Sequence, residues 1–365
     1  MKRNRLEQLQ FLRFMAFGLV FTRHSEEWIH FPTPGGNSVN AITFFFMLSG
    51  FVAAYSMFGR EPDFSGTEIA EFMKRKIIKV YPLYIVTTLL SVLTSGFVGH
   101  ILKHDTVVVK SMLFQLVKNT FLVQSWFSDG YFMFNGVAWY LSTLMFLYLI
   151  TIPLLCLFRK VREYEEKKAK IILISVIVIS FFLITLYSII MAGSNGNEEF
   201  WLYIFPPARI CEYIAGIAMG YMLCIYKDSY GNFDANQSGT AVFTIMEIIS
   251  LLFWIGIMVI PVTGWRYRIV EWFIPNVLLI MIFSFGNGKI SSILKNRFLV
   301  SLGDVTFECF LIHTLVIGTI DYIQGVLGNK ETYIPDILCL IMALVFTVMI
   351  SQLIKSGLSK DRSLG

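Results

Sequence analysis

The sequence predicts an all-α fold: a polytopic membrane helix bundle with about ten transmembrane helices and both termini in the cytoplasm. Of its 365 residues 56% are hydrophobic and only 15% are charged, and mean hydropathy is +0.66. A soluble domain carries about a quarter charged residues, so this chain holds more apolar surface than a water-facing fold buries. The apolar residues also gather into runs of roughly 18 to 24, long enough to cross a hydrocarbon core about 30 Å thick.

Ten such runs are placed at 9–29, 39–58, 78–99, 135–158, 171–192, 202–224, 241–261, 268–286, 301–321 and 334–354. The first carries Arg13 and is followed at once by the second, so it reads as a span and not as a cleavable leader. The second, fourth and fifth contain no charged residue, whereas the third is entered through the basic run Lys74-Arg75-Lys76-Ile77-Ile78-Lys79. Residues 106–124 are apolar but broken by Lys110, Gln115 and Lys118, which predicts an amphipathic or re-entrant segment inside an extracytoplasmic loop at 100–134. One integral-membrane domain is expected over 1–365, without an appended soluble domain.

An even number of spans puts both ends on one side, and the cations say which. The loops shared with the termini hold 21 of the 30 Lys and Arg residues and the opposite loops six, the rest lying within spans. That asymmetry predicts cytoplasmic termini. The net charge of +5 therefore reflects orientation in the lipid bilayer and gives no reason to expect a nucleic-acid partner. The five cysteines lie in or beside apolar runs without CxxC spacing, so neither a disulfide framework nor a zinc site is expected.

Ionisable residues inside apolar runs are expensive and usually face a protein interior or a wet cavity. Arg13 and His24, eleven residues apart, project from nearly the same helix face, roughly 16 Å apart along the axis. A cation near the cytoplasmic end and an imidazole near the far end outline a polar path. A snorkelling arginine and a capping histidine would leave the same two residues. Lys76 and Lys79, three apart, share a face and suit either ligand phosphates or lipid headgroups. Arg209 and Glu212 have the spacing of an internal ion pair, His313 reads as a core histidine or a site residue, and Glu247 and Glu271 are buried-carboxylate candidates without an evident partner. His100, His104 and Asp105 have metal-like spacing but no further ligands, so no metal is expected. Trp139, Tyr140 and the aromatic residues from Phe127 to Phe134 suit sugar stacking, as they suit an interfacial belt.

Five stretches in order resemble the acyltransferase 3 family of multi-pass bacterial membrane enzymes that acylate, usually acetylate, surface or exported glycans. They are Leu12-Arg13 with His24; Phe44-Phe45-Phe46-Met47-Leu48-Ser49-Gly50-Phe51; the basic run ending in Tyr81-Pro82-Leu83-Tyr84; Gln124-Ser125-Trp126 with Phe134-Asn135-Gly136-Val137-Ala138-Trp139-Tyr140-Leu141-Ser142; and Leu302-Gly303 with Phe310-Leu311-Ile312-His313. Arg209-Ile210-Cys211-Glu212-Tyr213 with Gly216 and Gly220 resembles a sixth. The resemblance implies O-acyl transfer from acetyl-CoA to a glycan or lipid-linked glycan in a bacterial inner membrane. It implies His24 and Arg13 as catalytic residues, with Arg13, Lys76, Lys79 and Tyr81 toward the acyl-CoA. Asn135, Trp139, Tyr140, Ser142 and His313 are expected toward the acceptor, and Arg209 and Glu212 in support. An imidazole near neutrality suits removal of a hydroxyl proton, and a guanidinium suits phosphates or a thioester carbonyl.

The chain departs from the family pattern at several positions. Lys76 and Lys79 stand where Arg-x-x-Arg is common, which keeps charge and loses the bidentate fork. The Trp139 stretch has no paired acids to serve His24, Arg23 and not a small residue precedes that histidine with Glu26 and Glu27 close by, and Glu308 stands where a small polar residue is expected. The reading from another class is a transporter or flippase, which also uses buried Arg, His and Glu; no internal repeat and no matched pair of interrupted spans supports it. Transfer of succinyl or a longer acyl group is the alternative within the enzyme class.

Overall fold

A computed structural model describes residues 4–26, 38–60, 62, 64–192, 197–230, 237–258, 270–326 and 336–361. Among the described residues the regular elements are all helical. The α-helices are α1 (Gln8–His24), α2 (Ser38–Met57), α3 (Gly66–Thr94), α4 (Phe97–Leu102), α5 (Thr106–Thr120), α6 (Trp139–Leu149), α7 (Thr151–Arg159), α8 (Glu166–Met191), α9 (Ile210–Tyr230), α10 (Gln237–Met258), α11 (Phe273–Phe285), α12 (Lys289–Leu294), α13 (Arg297–Asp304), α14 (Thr306–Val326) and α15 (Asp336–Asp361).

Each of the ten expected apolar runs corresponds to helix, but not all are full-length spans. Seven described helices are long and apolar enough to cross a membrane, or up to eight if the bent pair α6–α7 counts as one. The 42° bend has a local cause in Pro153, which lacks an N–H for the carbonyl of Leu149 at the start of α7. The remaining two, α1 and α11, have 17 and 13 residues. Residues 27–29 and 268–269, which complete those expected runs, lie outside the described residues, as do Glu27, both chain ends and the loop cations Arg266, Arg268 and Lys330.

The central contact joins α2 and α9. Lipid supplies no hydrophobic force between helices, so close approach of small residues substitutes for it. A Cβ on Gly50 would run into the carbonyl of Tyr213 and one on Gly216 into that of Met47, while one on Gly220 would stand 2.7 Å from the Phe51 oxygen. Gly216 and Gly220 thus form a small-xxx-small seam, which explains glycines that the sequence left without a reason. Phe44, Phe46, Met47 and Phe51 of α2 and Tyr213, Ile217 and Met219 of α9 are fully buried. On the outside of the bundle α8 presents Ile171, Ile174, Val178 and Phe182, a three- and four-residue stripe suited to hydrocarbon.

The segment expected to be amphipathic or re-entrant is the helix α5, whose C-terminal end is bonded to α3. Tyr84 Oη donates to the Asn119 carbonyl at 2.6 Å and Tyr81 Oη donates to that of Thr120, so α5 ends near the middle of α3. The following loop is held by Lys118. Its side chain is buried, its Nζ lies 3.0 Å from Asp129, and it sits between the rings of Phe114 and Phe127 at 4.7 and 4.6 Å. Gln115 Nε2 adds a 2.7 Å bond to the same carboxylate. The loop then delivers Asn135, whose Nδ2 donates to Thr87 Oγ1 of α3 at 3.0 Å and to the Leu311 carbonyl of α14 at 3.1 Å.

Two predictions follow from this packing. Gly216→Ala should lower thermal stability in detergent by about 1–3 kcal/mol through overpacking, whereas Gly256→Ala, whose Cβ meets nothing within 4 Å, should leave it unchanged. Equal melting temperatures would remove the seam from its central role. The second concerns Asp129, whose carboxyl is held below the ordinary carboxylate range, first by its hydrogen bond from Lys118. A depressed folded pKa gives stability that is complete above the unfolded value of about 3.9 and is lost as pH falls through the folded value. Hydrogen-exchange protection of α5 should therefore decline in acid, and Asp129→Asn should abolish that pH dependence while costing about 1–2 kcal/mol, discounted for the exposure of Asp129.

Candidate active site

Two polar ends and an aromatic wall between them make up the site. At one end α1 and α14 bring His24 and His313 together, their ring centroids 5.1 Å apart and tilted by 65°. His24 ends α1 and is exposed, whereas His313 lies fully buried within α14. His313 Nδ1 is 3.2 Å from the Cys309 carbonyl. A carbonyl only accepts, so this contact assigns the proton to Nδ1 and leaves the lone pair on Nε2. That Nε2 is buried and has no hydrogen-bond partner. The rings of Phe17, Phe21 and Phe310 surround His313 at 5.4, 6.4 and 6.1 Å.

Polar side chains gather beside the imidazoles. Arg23 pairs with Glu26 and lies within electrostatic reach of Glu199, which accepts a 3.4 Å hydrogen bond from Tyr131 Oη. Burial pushes the Glu199 carboxyl above the ordinary range, and the Tyr131 phenol is pushed up to about 12, first by burial and then by Glu199. No paired acid comes from α6, and none was expected there.

At the other end α1, α3, α14 and α15 converge on a cationic cluster. Arg13 is half-buried, donates from Nη1 to Gln10 Oε1 at 3.0 Å, and lies within electrostatic reach of Tyr140, Tyr148 and Glu308. Lys79 senses Arg13, Lys76, Glu308 and Lys355. Lys76 Nζ caps the ring faces of Tyr148 and Phe72 at 4.4 and 5.1 Å, an inward placement unlike that of a headgroup anchor. The Ser49 hydroxyl stands beside the phenols of both Tyr140 and Tyr148.

The site residues expected from the sequence separate in space. Arg13, Lys76 and Lys79 meet at the cationic end and His24 and His313 at the other, with Tyr140 in the wall between them against Phe46 and Phe310 at 4.8 and 5.3 Å. The structure puts Tyr81 elsewhere, bonded to the end of α5. Ser142 Oγ is buried 2.6 Å from Ser125 Oγ, Trp139 packs on Tyr203 at 4.6 Å, and Asn135 joins α3 to α14, so all three sit in the packed core. Arg209 and Glu212 form a fully buried pair with Nε 2.8 Å from Oε2, and Arg209 also donates to Thr43 Oγ1 of α2. Glu247, without an evident partner in the sequence, accepts from the backbone N–H groups of Ile290 and Ser291 at 3.0 and 3.2 Å and so caps α12. Tyr148 and Lys355 join the cluster with no sequence signal: one reads as an aromatic in an apolar run, the other as an end-of-span cation. His100 lies 3.4 Å from Asp105 in a short loop contact.

Comparison with known proteins gives the family. A family model described as an acyltransferase domain, acyltransferase 3, matches residues 6–355. The chain is 27% identical over 354 residues to the acyltransferase MdmB of Streptomyces mycarofaciens, a match covering 90% of this chain and 82% of that protein. No solved structure matches. With motifs, bundle and family model coinciding over nearly its whole length, the chain is an acyltransferase and belongs to the acyltransferase 3 family.

Proposed function

We propose that this protein moves an acetyl group from cytoplasmic acetyl-CoA to a hydroxyl of a cell-surface or exported glycan, across a bacterial inner membrane that it spans about ten times with both termini inside. The observation that carries this reading is the division of the site: cations from three helices at the end of α1 nearest its N-terminus, and a pair of imidazoles at the other. Arg13 and His24 are roughly 16 Å apart along α1, the reach of an extended chain of about a dozen or more bonds, such as the arm of CoA. Phosphates held by Arg13, Lys79 and Lys76 would thus leave the thioester beside His24.

His24 serves as the general base. It takes the proton of the acceptor hydroxyl as that oxygen attacks the thioester carbonyl; the C–S bond then breaks, and the proton passes to the departing sulfur. His313 is a positioning residue, its tautomer held by the Cys309 carbonyl and its ring packed edge-on against His24. Tyr131, Glu199 and Arg23 supply donors and acceptors for a polyhydroxyl acceptor beside His24. The relative's name gives the reaction class alone, so the glycan assignment rests on the family resemblance.

His24→Ala and His24→Gln should lower glycan acylation by about 10² to 10⁴ fold at normal abundance. The readout is the mass of surface glycans from a deletion strain complemented with each variant. Loss of one acetyl mass per modified unit is expected, loss of one succinyl mass would replace the acyl assignment, and full acylation by His24→Ala would remove the base. Lys79→Gln should raise the KM for acetyl-CoA about tenfold with kcat nearly unchanged, because it removes binding common to ground and transition states. An unaltered KM would move the donor site elsewhere.

A further inference from the structure

We propose that Glu308 is a resident counter-charge in the cationic cluster, competing there with the phosphates of the donor and so weakening the enzyme's hold on spent CoA. This role presupposes the donor assignment above and adds to it a residue that governs product release. Glu308 lies on α14 five residues before His313, about 7.5 Å along the helix axis. Its carboxylate is within electrostatic reach of Arg13 from α1, Lys79 from α3 and Lys355 from α15. Yet among the described residues it forms no ion pair within 4 Å with any of them, and its Oε2 is buried without a hydrogen-bond partner.

A buried carboxylate oxygen with three cations nearby and no donor calls for an explanation. The cations are tethered elsewhere: Arg13 to Gln10 Oε1, Lys355 to the Asp304 carbonyl, and the neighbouring Lys76 over the Tyr148 ring. They are held apart around the carboxylate instead of collapsing onto it, which leaves their outward charge available to an incoming anion. With Lys76 beside Lys79, the cations outnumber the carboxylate and still favour a polyanion, while the fixed carboxylate repels it. Without Glu308 the cluster would hold CoA harder than turnover requires, and in the empty enzyme its cations would face one another with less compensation. Asp304, which ends α13, has its carboxylate paired with Arg5.

The test uses purified full-length protein in detergent and free CoA as the probe. Glu308→Gln and Glu308→Ser should each bind CoA about tenfold tighter by calorimetry, from removal of one like charge a few ångströms from the phosphates. Both should show a matching fall in the inhibition constant of CoA as product. Glu166→Gln, whose carboxylate pairs with Lys170 on α8, should leave that affinity unchanged. A thermal shift on adding CoA should also grow in both variants, because the empty cluster loses its compensating charge. Unchanged or weaker CoA binding in a folded Glu308→Ser protein overturns the competition, as does a melting temperature that falls without any gain from CoA. Wild-type protein that binds no CoA at all overturns the donor assignment itself, a separate and distinguishable result.

Discussion

A bundle in lipid has no water to press its helices together, and the contact that replaces that force here is the glycine-lined approach of α2 and α9. Gly50, Gly216 and Gly220 let backbone meet backbone at a distance that a single methyl group would forbid. With the two helices this close, α2 is surrounded by protein, and its aromatic run Phe44–Phe46 can turn toward Tyr140 and Phe310. The wall between the two ends of the site therefore depends on a seam of glycines that lies outside the site. The buried Arg209–Glu212 pair lies at the start of the same seam and reaches Thr43 across it.

The same lack of water explains why the buried polar groups look as they do. An unpaired charge in an apolar interior costs several kcal/mol, so each retained charge needs a partner or a function. Glu247 has the N-terminus of α12, Lys118 has Asp129 and two ring faces, and Asn135 uses both donor hydrogens to join two helices. Among the side chains left with a buried, unpartnered polar atom are His313 at Nε2 and Glu308 at Oε2, one toward each end of the site.

Dividing the site along α1 separates two kinds of chemistry that interfere with one another. A cationic cluster tight enough to hold phosphates would disfavour a protonated imidazole beside it, since like charges a few ångströms apart repel strongly in a low dielectric. Some 16 Å of helix, walled by Phe17, Phe21 and Phe310, keeps the cations of α3 and α15 from the imidazole pair. Among the described residues Arg23 is the cation that acts on His24, and its pairing with Glu26 and proximity to Glu199 balance it locally.

Much of this was legible in the sequence because hydrocarbon imposes long-range rules on local composition. Apolar runs marked the long helices of the bundle, the broken run at 106–124 coincides with the helix α5, and Arg13 and His24 lie on α1 toward the two ends of the candidate site. Residues three apart on a helix must be neighbours, so the Arg209–Glu212 pair could be read directly. What the sequence could not decide were the partners contributed by distant helices. Nothing local tells that Glu247 caps α12, that Tyr81 is drawn to α5, that Ser142 is taken up by Ser125, or that Lys355 and Glu308 lie within electrostatic reach of Lys79. Span length also needed the structure, since Pro153 bends one apolar run into two helices. Composition and periodicity alone determined that this chain is a multi-pass membrane bundle whose first helix carries ionisable residues toward both ends. Only the packing of α1, α3, α14 and α15 decided which charges gather beside those residues, because electrostatic contacts form through space and carry no signature along the chain.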